Sequence, residues 1–422
     1  MYKQIGAKTL NKGCTNLAMK RFFFSIILSL LVVIPVMVEA SLVEYEFDIN
    51  YQTVNFTGED VRAMSVGGSI PAPTIEATVG DTLRVTFHNK MDVESSIHWH
   101  GILLPNDQDG TPYMTTSPIR AGESFTYEYP IIQHGTYWYH SHTQLQEQRG
   151  VYGPMVLHPK DGEKHKVDLE YVAVLSDWTN ENPKQVLHNL KKDGDYYALK
   201  KDSVQSWLKV LQYGSEGIKN RLNSSWTRMG PMDVSDVGYD AFLLNGKQES
   251  TLEGLQGGET LRLRIINASA SSYQYVEFSG GPMTIVAADG MDIESKEVDR
   301  LRISVAETYD VLIRLPNDNM AYEFRASSED GTGYSSLWLG EGHKMSARTI
   351  EKPNPFLMNH SMNDMDMDMG AMKMDSMGGM KMDSMGGMDH SMMGHAMPVS
   401  NGNIRMMNEY DDLRSLRKTT LP

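Results

Sequence analysis

Beyond Ala40, apolar and polar residues alternate with a period of two, and no other feature restricts the fold of this chain as strongly. Val43, Tyr45, Phe47 and Ile49 are separated by Glu44, Glu46 and Asp48; Leu83, Val85 and Phe87 are separated by Arg84 and Thr86; Phe125, Tyr127 and Tyr129 repeat the pattern. Successive side chains of an extended strand point to opposite faces, so such a segment buries one face and wets the other. Short strands of this kind, parted by Gly, Pro and Asp turns, predict a mainly β fold made of sandwiches. The turn and strand Gly80-Asp81-Thr82-Leu83-Arg84-Val85 returns as Gly258-Glu259-Thr260-Leu261-Arg262-Leu263. With 422 residues the chain is long enough for more than one core. The repeat therefore predicts two related sandwiches, at about residues 41–160 and 161–350. Within the second, Val186, Leu187, Leu190, Val204, Trp207, Leu208 and Leu211 fall at helical spacing. They predict a helical insertion at about 182–236, lying over the sandwich as a packing element or lid.

The two ends of the chain differ from this core. Lys20 and Arg21 precede an apolar run from Phe22 to Val38, and Val38-Glu39-Ala40 follows as a small-residue cleavage pattern. Residues 1–40 thus read as a signal peptide, cut after Ala40, that exports the protein to the periplasm. Pro35 interrupts a run already short for a bilayer, so no membrane span is expected after cleavage. The single cysteine, Cys14, precedes the cut, leaving a mature protein without thiol or disulfide. A net charge of −15 argues against nucleic acid and anionic membranes as partners and suits cations. Residues 351–400 are methionine-rich, and Met372-Lys373-Met374-Asp375-Ser376-Met377-Gly378-Gly379 recurs at once from Met380 to Gly387. From Met358 to Met397 no large branched apolar or aromatic residue remains to build a core, so that segment is expected to be disordered without a ligand. Thioether sulfur is soft and neutral and favours Cu(I). Met372, Met374, Met377, Met380, Met382 and Met385 are accordingly expected to bind Cu(I).

Two motifs carry the rest of the chemistry: His98-Trp99-His100-Gly101 and His140-Ser141-His142. Residues i and i+2 share one face of a strand, about 7 Å apart. Two such strands side by side point four imidazoles into one space. Neutral imidazoles suit copper, zinc, iron or nickel, and the histidines alone do not choose among them. Thr136 and Trp138 lead into His140 and His142 in alternation. His88, His134, His158, His165, His188 and His343 have no paired partner and read as structural or solvated.

Together with Asp109-Gly110-Thr111-Pro112 and Gly135-Thr136-Tyr137-Trp138-Tyr139, these motifs resemble the first domain of the multicopper oxidases, above all the bacterial copper-resistance protein A group. The resemblance continues through Asp177-Trp178-Thr179, Leu243-Leu244-Asn245-Gly246, Ala306-Glu307-Thr308-Tyr309-Asp310, the methionine-rich segment and Asp411-Asp412-Leu413-Arg414-Ser415-Leu416. It implies cupredoxin-like Greek-key sandwiches and copper cofactors that couple four one-electron oxidations to reduction of O2 to water. By position, His98 would ligate a type-2 copper, and His100, His140 and His142 a type-3 pair. Asp109 matches a family carboxylate near that cluster, which implies proton supply as its role; the alternative is a turn-forming Asp before Gly110. The family draws its other four cluster histidines and its cysteine-bound type-1 copper from a third domain. No cysteine follows Cys14 and no histidine follows His395. Residues 401–422 are therefore expected to be the start of a missing third domain, and the oxidase to be incomplete. The resemblance implies a periplasmic copper-resistance oxidase acting on Cu(I) or phenol-type substrates, with copper ions, O2 and other periplasmic copper-handling proteins as partners. The alternative is a non-catalytic copper-sequestering protein that works through its methionines. A two-domain nitrite reductase is disfavoured, because it too needs the cysteine.

Overall fold

The computed structural model describes residues 41–204, 206–227, 235, 237–352, 354 and 406–407. The expected signal peptide and the stretch holding Met372, Met374, Met377, Met380, Met382 and Met385 lie outside these residues.

Eight strands form a first sandwich: β1 (Leu42–Val54), β2 (Val61–Val66), β3 (Ile75–Thr78), β4 (Thr82–Asn89), β5 (His98–His100), β6 (Ser124–Pro130), β7 (Gly135–His140) and β8 (Tyr152–His158). They make two sheets in the orders β2-β1-β4-β6 and β3-β8-β7-β5. The alternation has its expected result here. Leu83, Val85 and Phe87 are fully buried, while Arg84 on the other face of β4 holds Glu44 and Glu128 across the neighbouring strands at 2.7 and 2.6 Å.

The second sandwich follows: β9 (Leu169–Trp178), β10 (Ala241–Leu244), β11 (Glu249–Leu252), β12 (Thr260–Asn267), β13 (Gln274–Phe278), β14 (Met283–Ala288), β15 (Met291–Val298), β16 (Arg300–Ile303), β17 (Thr308–Arg314), β18 (Met320–Ser328), β19 (Tyr334–Leu339) and β20 (His343–Met345). Its sheets run β10-β9-β12-β17-β14-β15 and β11-β19-β18-β13-β16, with β20 beside β18 and a two-residue strand β21 (Met406–Met407) pairing β16. The sequence repeat has a topological counterpart. β4 lies parallel to β1 and antiparallel to β6, just as β12 lies parallel to β9 and antiparallel to β17. Likewise β3-β8-β7-β5 matches β11-β19-β18-β13 strand for strand, each beginning with a parallel pair.

Between β9 and β10 the described residues make three helices: α1 (Pro183–Lys192), α2 (Trp207–Gln212) and α3 (Gly214–Thr227). Asn182 caps α1 by accepting from the Lys184 amide, with proline at the first turn, and Ser206 caps α2. The expectation needs one correction. Val204 precedes α2 instead of lying in it, and Trp207, Leu208 and Leu211 are exposed, Leu208 at 79 %. Helical spacing identified the helices, but among the described residues only Val186, Tyr197 and Val237 form a small buried cluster there, with Leu190 packed against it.

Each sandwich has its own core, and a third core spans the two. Trp138 and Tyr152 from the first pack with Val174, Trp178, Leu243 and Ile266 from the second. Beside it runs a buried ionic network. Arg264 on β12 binds Asp310 on β17 at 2.8 Å, and Glu163 and Glu170 at 2.7 and 2.9 Å. The Thr136 hydroxyl on β7 donates to Asp310 at 2.6 Å, which ties the first sandwich into the network. The backbones also approach closely: a side chain at Gly135 would meet the Gly290 carbonyl.

Candidate metal centre

β5 and β7 pair antiparallel, with His98 opposite His140, Trp99 opposite Tyr139 and His100 opposite Trp138. The two-residue period then separates the side chains. Trp99 and Tyr139 turn into the core of the first sandwich, and the histidines share the other face with Trp138. His142 follows just past the end of β7, where the Ser141 amide bonds to the Val151 carbonyl. Ring centroids of His98 and His142 are 4.7 Å apart, His140 and His142 4.9 Å, and His100 and His140 5.5 Å. The four imidazoles named from the sequence are thus gathered in one place. The tightest set is His98, His100 and His140, whose donor atoms all lie within 4.8 Å of one another; it is the one such group among the described residues. His142 stands beside it.

Each wall of the site is braced. The Nδ1 of His98 bonds the backbone carbonyl of Asp109 at 2.8 Å and lies 3.4 Å from its carboxylate. That carboxylate also accepts the hydroxyls of Thr111 and Thr115 at 2.7 and 3.0 Å. Gly110 makes the approach possible: at φ +86° its ideal Cβ would lie 1.7 Å from the Ile97 carbonyl oxygen. On the other side, Trp138 stacks on His140 at 4.1 Å and on His100 at 5.1 Å. The Glu147 carboxylate comes within 3.1 Å of His140 Nδ1. Sequence reading missed Glu147. It sits in an irregular loop with no periodic relation to the histidines, so no local signal could have marked it.

The electrostatics favour neutral rings. Burial lowers the pKa of His98 despite its bond to Asp109, and burial plus repulsion from neighbouring imidazoles lowers that of His142. Burial, then the nearness of His140 and His98, bring His100 down to about 4. Burial would raise Asp109, but the Thr111 hydroxyl, His98 and the Thr115 hydroxyl together hold its carboxyl below the ordinary value. At neutral pH the site thus offers unprotonated nitrogens beside a carboxylate, the state a metal ion requires. Bonds of about 2.0–2.1 Å from one ion would separate donors by roughly 3.3–4.1 Å. The facing nitrogens His100 Nδ1 and His140 Nε2, 3.3 Å apart, already meet that spacing. The donor set therefore fits a transition metal such as copper.

The multicopper oxidase family models match residues 48–162 and 170–343. The chain belongs to the multicopper oxidase family. It is 38 % identical to copper resistance protein A of Pseudomonas syringae pv. tomato over 80 % of this chain and 56 % of that protein. Identity is also 38 % to copper resistance protein A of Escherichia coli, over 81 % of this chain and 56 % of that one. The chain thus spans a little over half the length of these curated relatives. The laccase from Botrytis aclada superposes with a TM-score of 0.56 at 22 % identity, covering 77 % of this chain and 58 % of the laccase. At that identity the likeness concerns the fold: two cupredoxin-like sandwiches, the second with a helical insertion. No helix among the described residues is long and apolar enough to cross a membrane.

Proposed function

We propose that this chain carries one wall of the copper cluster of a periplasmic copper-resistance oxidase, exported by a signal peptide cut after Ala40. In this reading the sandwiches are separate domains meeting at about residue 160. The observation that carries the proposal is the convergence of His98, His100 and His140 on one face of β5 and β7, in a chain of this family. His98 would hold a type-2 copper, and His100, His140 and His142 a type-3 pair. Copper held by these histidines would supply one-electron redox chemistry. The residues of the chain do the rest. Trp138 and the shared core behind it exclude water from one side of the imidazoles. Asp109, partly exposed and hydrogen-bonded to two threonines, moves protons between solvent and the site.

The test is Cu(II) binding by the purified chain, followed by competition with a chelator and by electron paramagnetic resonance. Replacing His98, His100 or His140 with alanine should abolish binding at this site. A Cu(II) stoichiometry and resonance signal left unchanged by the triple replacement would overturn the assignment.

A second reading draws on the methionine repeat from Met372 to Gly387: sequestration of Cu(I) without turnover. Reading the coding sequence beyond Pro422 separates the two: a continuation containing His-Cys-His supports the oxidase, and a stop codon there supports the sequestering protein.

A further inference from the structure

We propose that Glu147 is a positioning residue for the copper site. Its carboxylate accepts the Nδ1–H of His140, and so presents Nε2 of that ring to the metal. A neutral imidazole carries its proton on one nitrogen or the other, and the hydrogen bond at one decides which lone pair is left for a ligand. His140 Nε2 faces the site, 3.3 Å from His100 Nδ1, while Nδ1 points away from it. His140 is a buried ring, only 7 % exposed, whose Nδ1 has no well-directed hydrogen bond. Among the described residues, the acidic group that pairs with it is Glu147, at 3.1 Å. The contact is short but imperfectly aligned, as such bonds commonly are before a site closes on its ligand.

Glu147 is held in place by its neighbour. Gln146 is buried; its side-chain oxygen accepts the hydroxyls of Ser95 and Ser141 at 2.7 and 3.1 Å, and its amide donates to the Glu94 carbonyl at 2.7 Å. The Gly150 amide closes a turn on the Glu147 carbonyl at 3.0 Å. The loop from Thr143 to Gly150 is thereby fixed to the strand that carries the ligand. His98 receives the equivalent brace from the Asp109 carbonyl, so two of the three clustered rings are oriented through Nδ1.

The proposal rests on the copper reading, and the two fail separately. In the unsubstituted chain, long-range 1H–15N correlation spectra at a pH where the rings are neutral should show His140 as the Nδ1–H tautomer. Finding Nε2–H instead overturns the proposal without any variant. Glu147→Ala should release the ring into a mixture or the opposite tautomer and weaken Cu(II) binding by about 10–100-fold. Glu147→Gln, whose amide oxygen still accepts, should keep the tautomer and most of the affinity. An unchanged tautomer with Cu(II) affinity within twofold in Glu147→Ala would also overturn it. Failure of the unsubstituted chain to bind Cu(II) would overturn the copper reading, while the tautomer alone decides the role of Glu147.

Discussion

Burial and crowding on one face lower the pKa of His98, His100 and His142, and that makes the site sensitive to acid. His100 has a pKa of about 4 when folded and 6.5 when freed. Between those values the unfolded chain binds a proton that the folded chain refuses, so unfolding is favoured as pH falls through the window. Stability should be full above about pH 6.5 and should decline toward pH 4, by an amount of order 1–3 kcal/mol. His98 and His142, also lowered, act in the same direction. His158 opposes them. Its contacts with Glu163 and Glu76 raise its pKa, so its contribution is present below 6.5 and is lost as pH rises. The measurement is therefore a comparison: urea denaturation from pH 7.5 to 4.5 should show a shallower decline in His100→Gln than in the unsubstituted chain. An equal decline would mean that His100 is solvated. Gly110 invites a second test at this scale. A methyl group there collides with the Ile97 backbone, so Gly110→Ala should cost about 2–4 kcal/mol and displace the Asp109 carbonyl from His98. Loss of denaturation midpoint together with weakened Cu(II) binding would register both effects.

Among the elements, β7 does two jobs at once. Tyr137 and Tyr139 enter the first core, while Thr136, Trp138 and His140 face the second sandwich and the metal site. Its anchor is the buried network around Arg264. Arg264→Met should destabilise the fold by about 3–5 kcal/mol, because it leaves the Asp310 carboxylate buried without its cation. Equilibrium unfolding measures this directly, and a loss below 1 kcal/mol would show that water reaches Asp310. The same element marks what can be read from sequence. β1, β4 and β6 declare themselves by alternation, and the paired histidines by their spacing, because one face of each strand differs chemically from the other. All of β7 is buried, so its pattern does not reveal which face meets a core and which meets a neighbour. The arginines are harder still. Arg84 and Arg262 occupy the same place in the sequence repeat, yet the first is 37 % exposed and the second 2 %. The acidic groups that pair with Arg262 and Arg264 lie some hundred residues away, at Glu163 and Glu170. No local pattern encodes that meeting, nor the approach of Glu147 to His140.

At the scale of the molecule, the duplicated sandwich is chemically one-sided. The strands that correspond to β5 and β7 are β13 and β18, and their rungs place Gln274 opposite Ser328 and Glu277 opposite Arg325, with no histidine. Among the described residues, clustered imidazoles therefore occur in the first sandwich and not in the second. Thioether chemistry is concentrated between Met358 and Met397, and the one cysteine is Cys14. These three facts predict two copper populations that respond to different changes. Soft sulfur selects Cu(I), whereas neutral imidazole holds Cu(II) well. Deleting residues 358–397 should lower Cu(I) stoichiometry while leaving the Cu(II) signal of the histidines intact, and replacing His98, His100 and His140 should do the reverse. The chain processed at Ala40 and loaded with copper should show no intense blue absorption, since that band needs a cysteine thiolate. Metal analysis after each change, with absorption and paramagnetic resonance spectra, measures all three. If deletion of the methionines also removes the imidazole signal, the two populations are one site and the division proposed here is wrong.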